Sequence, residues 1–442
     1  MRRARLAAVL TAFVLMTGCA SSGSSSSSPE ETTTTTTTAV TASAPETATL
    51  PAIFLPTAEA PTDEGALALG AEALFNASGG HYPVTSGTRV RFLPSGGSFH
   101  EALLTELKKA ERFILMEYFI IKEGEMLSPI LDIIREKTAQ GVEVKIIPDG
   151  LASQSGIDEV LRAAGAECEP YRGSETEGLN YRDHRKITVI DGRAAFMGGV
   201  NIADEYINAI SPYGHWQDAA ILIEGEAVRS CTELFFEQWR NGAELGSCQS
   251  YLDASAPVDG DGYVMTFGTS HFAGAQNARA VYLELIRRAE KSLYITAPYL
   301  TIDAEIEREL GNAVERGVDA ALFIPGINDK QYSELISRQH CRNLLELGVR
   351  LYRYDPGFIH AKVTLCDGEA AMVGSINLNS RSFYLDYECA ACLLDCSAAE
   401  DIAEFFSALR EECTELSLKD IPALSPAEML EASLLDRLAP VM

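Results

Sequence analysis

Two stretches of the chain carry the same polar residues at the same spacing. Each has the order His, Lys, Asp, Asn, and the residues are His184, Lys186, Asp191 and Asn201 in the first and His360, Lys362, Asp367 and Asn377 in the second. In both, Lys follows His by two residues, Asp follows Lys by five, and Asn follows His by seventeen. Side chains two residues apart on a strand point to the same face. We therefore expect each histidine to lie beside its lysine on a polar face of a strand.

These residue types suit phosphoryl transfer. A neutral imidazole can attack phosphorus and hold a covalent intermediate, and its pKa near neutrality also lets it pass a proton. Lysine can stabilise the negative charge that builds up on the phosphate oxygens, and the amides of Asn201 and Asn377 can donate hydrogen bonds to the same oxygens. In-line displacement needs a nucleophile on one side and an acid on the other, so two copies facing each other would complete one site. A lone His-x-Lys pair is usually structural, but a second copy in register disfavours that interpretation.

The elements around the motifs also repeat. A strand, a helix and a second strand are predicted in each half, with the strands at 112–120 and 142–148 and again at 292–300 and 318–325. The offset of 176 residues relates Val142 to Val318 and also His184 to His360. Strand–helix–strand units build sheets covered by helices. The sequence therefore predicts a duplicated α/β domain.

With these motifs the chain resembles the phospholipase D superfamily, and more narrowly the bacterial cardiolipin synthases. The resemblance covers roughly residues 88–415, and besides the motifs it is carried by 116–120, 183–186, 201–206, 215–218, 297–299, 324–326, 357–362 and 381–388. It implies two phospholipase D-type halves, each a mixed sheet flanked by helices, with one active site at their pseudo-two-fold interface. It also implies that two phosphatidylglycerols are joined into cardiolipin and glycerol through a phosphatidyl-histidine intermediate, without a metal or another cofactor.

Other functions remain open on the residues alone. A hydrolytic phospholipase D would use water as the second nucleophile, and a nuclease or phosphodiesterase of the same fold would act on another phosphodiester. A non-catalytic lipid-binding lipoprotein would need a broken motif, and neither copy is broken. The motifs do not say which histidine is the nucleophile.

Further residues follow from their positions relative to the motifs. Asp218 lies 17 residues after Asn201 and Glu388 lies 11 residues after Asn377. In the superfamily an acidic residue at such a place accepts a hydrogen bond from a catalytic histidine, although either could also be an ordinary surface carboxylate. Asp191 and Asp367 belong to the catalytic motifs, and we expect their Asp-Gly turns to brace the motif rather than touch phosphate. His215 lacks a lysine partner and is at most a substrate contact.

Composition limits the partners. The chain of 442 residues has 46% hydrophobic residues, enough for two domains, and a net charge of −27. Binding to nucleic acid needs clustered basic residues, so the acidic balance argues against it. The ten cysteines show no zinc-ligand spacing, and Cys389, Cys392 and Cys396 are expected to be buried strand residues rather than metal or redox groups. The resemblance implies anionic phospholipid and the membrane surface as partners, and the oligomeric state stays open.

The N-terminal residues predict export. Three arginines precede an apolar run at 6–16 and then Cys19, which resembles a bacterial lipoprotein signal. The prediction is a signal over 1–19, lipidation of Cys19, and a location at the outer face of the bacterial membrane, with an uncleaved anchor or simple secretion as alternatives. The Ser/Thr-rich residues that follow belong to a tether and lead-in over 20–85.

The rest of the chain divides into a first half over 86–250, a second half over 251–415 and a helical tail over 416–442. In the tail, Ser425 and Glu428 form a predicted capping box with proline at the first helical position. Met429, Leu430, Leu434 and Leu438 then fall on one helical face. We expect this face to pack against the body of the protein, with the membrane surface as the alternative.

Overall fold

Two mixed β-sheets with matching strand orders form the framework of the protein. The structure is a computed structural model that describes residues 58–173, 180–269, 277–328 and 334–438. All of them lie in the unit Ala52–Met442. The predicted signal, Cys19 and most of the tether lie outside the described residues.

The first sheet has seven strands in the order β1-β8-β6-β5-β2-β3-β4. They are β1 (Thr88–Leu93), β2 (Phe113–Tyr118), β3 (Glu143–Pro148), β4 (Glu167–Cys168), β5 (Lys186–Ile190), β6 (Ala194–Gly198) and β8 (Ala220–Gly225). The pairs β2–β3 and β3–β4 are parallel, and the other neighbours are antiparallel. All six residues of β2 are buried, which fits a central strand covered on both faces.

The second sheet has eight strands in the order β17-β12-β11-β10-β14-β15-β16-β9. They are β9 (Tyr263–Gly268), β10 (Ser292–Thr296), β11 (Asp319–Pro325), β12 (Arg350–Tyr354), β14 (Val363–Cys366), β15 (Ala370–Gly374), β16 (Cys389–Leu394) and β17 (Cys413–Leu416). Apart from the added β17, each strand occupies the place of its counterpart in the first sheet. The predicted duplicated α/β fold is therefore confirmed.

Helices cover the sheets. They are α1 (Glu64–Ala68), α2 (Ala71–Ala77), α3 (Gly96–Leu107), α4 (Leu127–Ala139), α5 (Ile157–Ala163), α6 (Val228–Gln238), α7 (Gln249–Leu252), α8 (Asn277–Arg288), α9 (Ala304–Glu315), α10 (Glu334–Glu346), α11 (Ser380–Tyr384), α12 (Ala398–Glu411) and α13 (Pro426–Leu438). Short 3₁₀ turns lie at Asp204–Ile207, Trp239–Gly242 and Leu245–Ser247. In α4 the buried Leu127, Ile130 and Ile134 recur at helical spacing, so one face of the helix packs on the sheet.

A short ribbon joins the two halves. Strand β7 (His215–Gln217) of the first half pairs in parallel with β13 (Gly357–Ile359) of the second. On the other side of the pseudo-two-fold axis, Asp183 and Tyr387 form a single parallel bridge. Each motif histidine directly follows one of these contacts, so the joining of the halves also places the histidines.

The predicted polar strand face is wrong. All five residues of β5 are buried, including the neighbours Thr188 and Val189, whose side chains point to opposite faces of the strand. The reason is that both faces of the first sheet are covered around β5. His184 lies before β5, and both His360 and Lys362 lie before β14. The motif histidines therefore stand at the end of the sheet rather than on its face.

The C-terminal helix forms, but its apolar face does not pack as predicted. The capping box is present, because Ser425 N–H donates to Glu428 Oε2 at 2.8 Å and Glu428 N–H donates to Ser425 Oγ at 3.3 Å. However, Met429, Leu430 and Leu434 are 45%, 64% and 56% exposed. The small Ala432 is buried instead, and the side chain of Leu438 lies outside the described part. The prediction that this face packs on the body is wrong for the three residues that the structure describes.

Candidate active site

His184 is held by the second half of the chain. Its backbone N–H donates to Tyr387 O at 2.9 Å, and its Nδ1 lies 2.9 and 3.0 Å from the two carboxylate oxygens of Glu388. The side chain is buried, with Phe119 against the ring at 4.8 Å between centroids. The position of His184 thus depends on residues about 200 positions away in the sequence.

His360 is held by the first half in the same way. Its backbone N–H donates to Gln217 O at 2.7 Å, and its Nδ1 lies 2.7 Å from Asp218 Oδ2. Gln217 and Tyr387 each directly precede the carboxylate residue, so the two arrangements are related by the pseudo-two-fold axis. Each histidine therefore pairs with the carboxylate of the opposite half, and the two halves together make one site.

Each motif lysine is hydrogen-bonded to the backbone of the histidine in its own motif. Each ammonium group donates to the backbone carbonyl of its own histidine, Lys186 to His184 and Lys362 to His360. Burial lowers the pKa of Lys186 to about 8, although Glu388 acts in the opposite direction. The charge of Lys186 also lowers the pKa of His360, which belongs to the other half. The two motifs therefore share one electrostatic environment.

The two histidine–carboxylate pairs differ in charge. Burial lowers the pKa of His360 to about 3, with help from Lys362 and against the attraction of Asp218. Burial also raises the pKa of the carboxyl groups, but His360 and Lys362 outweigh it at Asp218, whose pKa is lowered. At Glu388 burial wins, and its pKa rises to about 7 in spite of Lys186 and two serine hydrogen bonds. A neutral His360 thus faces an ionised Asp218, whereas Glu388 holds a proton up to neutral pH.

Asp191 and Asp367 lie away from the histidines, at the far ends of β5 and β14. Asp191 accepts hydrogen bonds from three consecutive backbone N–H groups at 111–113, and Asp367 does so at 290–292. Both have positive φ, 57° and 56°, and each is followed by a glycine. Their contacts tie each motif strand to the start of the neighbouring strand, and no hydrogen bond in the described part of the chain joins them to a motif histidine, lysine or asparagine.

The two asparagines have different surroundings. The amide of Asn201 donates to the hydroxyl of Tyr206, and its Oδ1 accepts from Ile120 N–H at 3.0 Å. The Oδ1 of Asn377 is buried without a hydrogen-bond partner. Asn201 is therefore engaged with protein groups, and a phosphate contact for either residue stays a prediction.

Aromatic side chains surround His360, and the sequence did not single them out. Tyr206, Trp216 and Phe358 have ring centroids 5.4, 5.2 and 5.9 Å from the imidazole. All three lie in stretches that carry the family resemblance, which was the available signal. His215 is exposed and bonds through Nδ1 to the hydroxyl of Tyr354 at 2.8 Å. His215 lies on the ribbon of β7 and β13 beside the site, and it belongs to neither histidine–carboxylate pair.

Two serines that donate hydrogen bonds to Glu388 were also not predicted from the sequence. Ser375 Oγ donates to Glu388 Oε2, and Ser382 Oγ donates to Oε1 at 2.6 Å. In the first half Gly199 stands where Ser375 stands in the second, and a Cβ there would come within 2.1 Å of Asp218 Oδ1. The Gly-Gly and Gly-Ser versions of the motif thus reflect two different ways of holding a carboxylate.

The described part of the chain offers no group of three or more His, Cys, Asp or Glu side chains arranged to hold a metal ion. Cys389, Cys392 and Cys396 are buried, the first two in β16. Among the described helices, none combines the length and apolar character needed to cross a bilayer.

Fold and site together define a duplicated phospholipase D-type protein, with two His-x-Lys motifs meeting between its halves. The family described as "Cardiolipin synthase, PLD-like domain" matches residues 103–239 and 282–410. The chain belongs to this family of the phospholipase D superfamily, and the resemblance seen in the sequence is confirmed.

Individual relatives agree with this assignment. An uncharacterized protein of Streptococcus mutans is 39% identical over 341 residues, which are 75% of this chain and 74% of that protein. A cardiolipin synthase of Geobacillus thermodenitrificans is 34% identical over 323 residues, covering 71% of this chain and 64% of that enzyme. The chain thus spans somewhat less than two thirds of that synthase. The crystal structure of a phosphatidylserine synthase from Haemophilus influenzae shares the fold, with a TM-score of 0.62 and 16% identity over 84% of this chain and 98% of that one.

Proposed function

We propose that the protein transfers a phosphatidyl group from one phosphatidylglycerol to another, giving cardiolipin and glycerol. The observation that carries the proposal is the crossed pairing of His184 with Glu388 and of His360 with Asp218. It provides one site with two imidazoles, each with Nδ1 on a carboxylate, so that Nε2 is the nitrogen left for the reaction. Membership of the cardiolipin synthase family supports a phospholipid phosphatidyltransferase.

In the first step, Nε2 of one histidine attacks phosphorus and the bond from phosphorus to the glycerol head group breaks. The second histidine donates a proton to the departing glycerol oxygen. In the second step, a glycerol hydroxyl of another phosphatidylglycerol attacks phosphorus, the P–N bond breaks, and the second histidine takes the proton back. Lys186 and Lys362 supply positive charge for the phosphate oxygens. The mechanism uses no group from outside the chain other than the two lipids.

The experiment is product analysis with purified protein and phosphatidylglycerol in mixed micelles. We expect cardiolipin and free glycerol in equal amounts, and added glycerol should drive the reaction backwards because both directions share one intermediate. Water is abundant, so the site must hold the acceptor alcohol in line and exclude water for transfer to win. Phosphatidic acid as the main product, unchanged by excess glycerol, would identify a hydrolase instead.

We also propose that the protein works at the outer face of a bacterial membrane, anchored through a lipid on Cys19. The support is the sequence pattern that ends at Cys19, which lies outside the described residues. Mass spectrometry of the membrane-extracted protein tests it. A chain that starts at a diacylglyceryl-modified Cys19 is expected, and an N-terminus upstream of Cys19 with the apolar run still attached would refute it.

A further inference from the structure

Arg185, between the first motif's histidine and lysine, is completely buried and makes three strong contacts. Its guanidinium group donates to Leu234 O at 2.7 Å, to Glu237 Oε2 at 2.8 Å and to Thr269 O at 2.9 Å. The residue at the same place in the second motif is Ala361, which has no polar side chain. The phosphoryl chemistry described above gives Arg185 no role.

Thr269, the third of these partners, belongs to the second half and holds the backbone around Glu388. Its N–H donates to Glu388 O at 2.9 Å, and its Oγ1 accepts from Glu388 N–H at 2.7 Å. The same hydroxyl donates its proton to Asp386 O at 2.9 Å. Both backbone polar groups of Glu388 are therefore fixed by this one threonine.

These contacts form a closed circuit across the two halves. It runs from His184 along the chain to Arg185, through the guanidinium group to Thr269, through Thr269 to Glu388, and from the Glu388 carboxylate back to His184 Nδ1 at 2.9 Å. A displacement of any member changes the angle at which the carboxylate meets the imidazole. The circuit thus connects the interface between the halves to the orientation of one histidine ring.

The other histidine pair needs no such circuit, because its carboxylate is shorter. Asp218 Oδ1 accepts a hydrogen bond from the adjacent Ala219 N–H at 2.8 Å, which leaves Oδ2 for His360. Glu388 has one more methylene group and one more rotatable bond, so it must be held from more directions. Ser375 and Ser382 hold the carboxylate of Glu388, and Thr269 holds its backbone.

We propose that Arg185 and Thr269 are positioning residues that act on catalysis through Glu388 and His184. Neither touches the reacting atoms, and both are placed to fix the ring angle of His184 across the interface. Loss of the Thr269 hydroxyl should therefore lower kcat and leave KM nearly unchanged, because the turnover step depends on the ring angle and lipid binding does not. The inference rests on the proposed function only in that the site transfers a phosphatidyl group.

The cleanest test changes Thr269 rather than Arg185. Arg185 contacts both buried carboxylates, Glu117 and Glu237, so its removal would take a cation away from two buried acidic groups and endanger folding. Thr269→Val removes the hydroxyl and keeps the shape, whereas Thr269→Ser keeps the hydroxyl and removes the methyl group. If Thr269 acts through its hydrogen bonds, Thr269→Val should lose more kcat than Thr269→Ser. If it acts through packing, Thr269→Ser should lose more.

The measurement is the rate of glycerol release from phosphatidylglycerol in mixed micelles, with thermal unfolding recorded for each variant. We expect Thr269→Val to lower kcat about tenfold or more with KM within about twofold, because small misplacements of catalytic groups are costly. Thr269→Ser should restore kcat to within about twofold of the natural protein. Thr266→Val is the matched control, since Thr266 is an equally buried threonine on β9 whose hydroxyl bonds Ala227 O, away from Glu388.

Several outcomes would overturn the proposal. They are an unchanged kcat in Thr269→Val, an equal loss in Thr269→Ser, or an equal loss in Thr266→Val. If Thr269→Val does not fold, Arg185→Lys, which keeps the buried charge but not the fork of donors, should lower kcat with KM unchanged, and natural turnover by that variant would refute the inference. Glycerol release reports the first step whether cardiolipin or phosphatidic acid follows, so a failure of the proposed function is seen in the lipid product and a failure of this inference in the rate.

Discussion

The Nδ1 atom of His360 lies 2.7 Å from Oδ2 of Asp218, although 142 residues and the boundary between the halves separate them in the chain. This contact fixes the tautomer, because Nδ1 must carry the hydrogen that the ionised carboxylate accepts. Nε2 then carries the lone pair that can attack phosphorus. His184 Nδ1 likewise lies against Glu388 of the opposite half, so neither half contains a complete site by itself.

Asp218→Asn should lower kcat about a hundredfold or more and leave KM nearly unchanged. An asparagine amide can donate to Nδ1 and so favour the tautomer with hydrogen on Nε2, which cannot attack. Glycerol release from phosphatidylglycerol measures the effect. The control is Asp132→Asn, because Asp132 is an exposed carboxylate on α4 whose ion pair with Arg135 is a surface contact. A kcat of Asp218→Asn near that of the control would contradict the role of the pair.

The two histidines should differ in their response to a better leaving group. His360 is neutral because its pKa is lowered to about 3, which suits a nucleophile, whereas the His184–Glu388 pair keeps a proton near neutral pH, which suits an acid. We predict that His184→Gln regains most of its first-step rate on a p-nitrophenyl ester of phosphatidic acid, since p-nitrophenolate leaves without a proton. His360→Gln should stay inactive on the same ester. The measurement is the p-nitrophenol burst, and rescue of His360→Gln instead of His184→Gln would reverse the roles.

The stability of the protein should depend on pH through His360. Its folded pKa is lowered below the ordinary 6.5, so between pH 6.5 and about 3 the unfolded chain binds a proton that the folded chain does not. Stability from this residue is therefore present above pH 6.5 and lost as the pH falls, by at most about 1.4 kcal/mol per pH unit. Lys362, Asp218 and Lys186 act on His360. The pKa of Lys186 is about 8 and that of Asp218 is lowered from its ordinary value, so these two keep their charge in the folded protein between pH 4.5 and 6.5.

Urea unfolding at pH 4.5, 5.5 and 6.5 tests this prediction. The difference in unfolding free energy between the natural protein and His360→Gln should shrink as the pH falls. The contribution of Glu388 to the pH dependence of stability has the opposite sign, because its raised pKa makes stability fall as the pH rises. Glu388 is present in both proteins, so this contribution is common to them. A pH-independent difference for His360→Gln would show that this histidine is charged in the folded state.

The sequence predicted the duplicated fold and offered candidate residues for the site, but it could not assign the partners that meet across the interface. The duplication could be predicted because one offset relates His184 to His360 and also relates the strands around them. Two halves keep such a common spacing only when they share the same architecture. No spacing could pair His184 with Glu388 rather than with Asp218, since the pairing arises from how two halves meet. The same is true of Arg185 and Thr269, whose contact joins residues 84 positions apart.

The C-terminal helix shows a second limit of what can be predicted from sequence periodicity. Met429, Leu430 and Leu434 lie on one face, yet the structure leaves them exposed, because a helical period says which residues share a face and not what covers it. Leu430→Ser and Leu434→Ser should each change the unfolding free energy by less than about 0.5 kcal/mol. Leu344→Ala on α10, where the side chain is fully buried, should cost about 2–5 kcal/mol. Urea unfolding measures all three, and a loss at Leu434 comparable to that at Leu344 would mean that the helix packs its leucines against the protein after all.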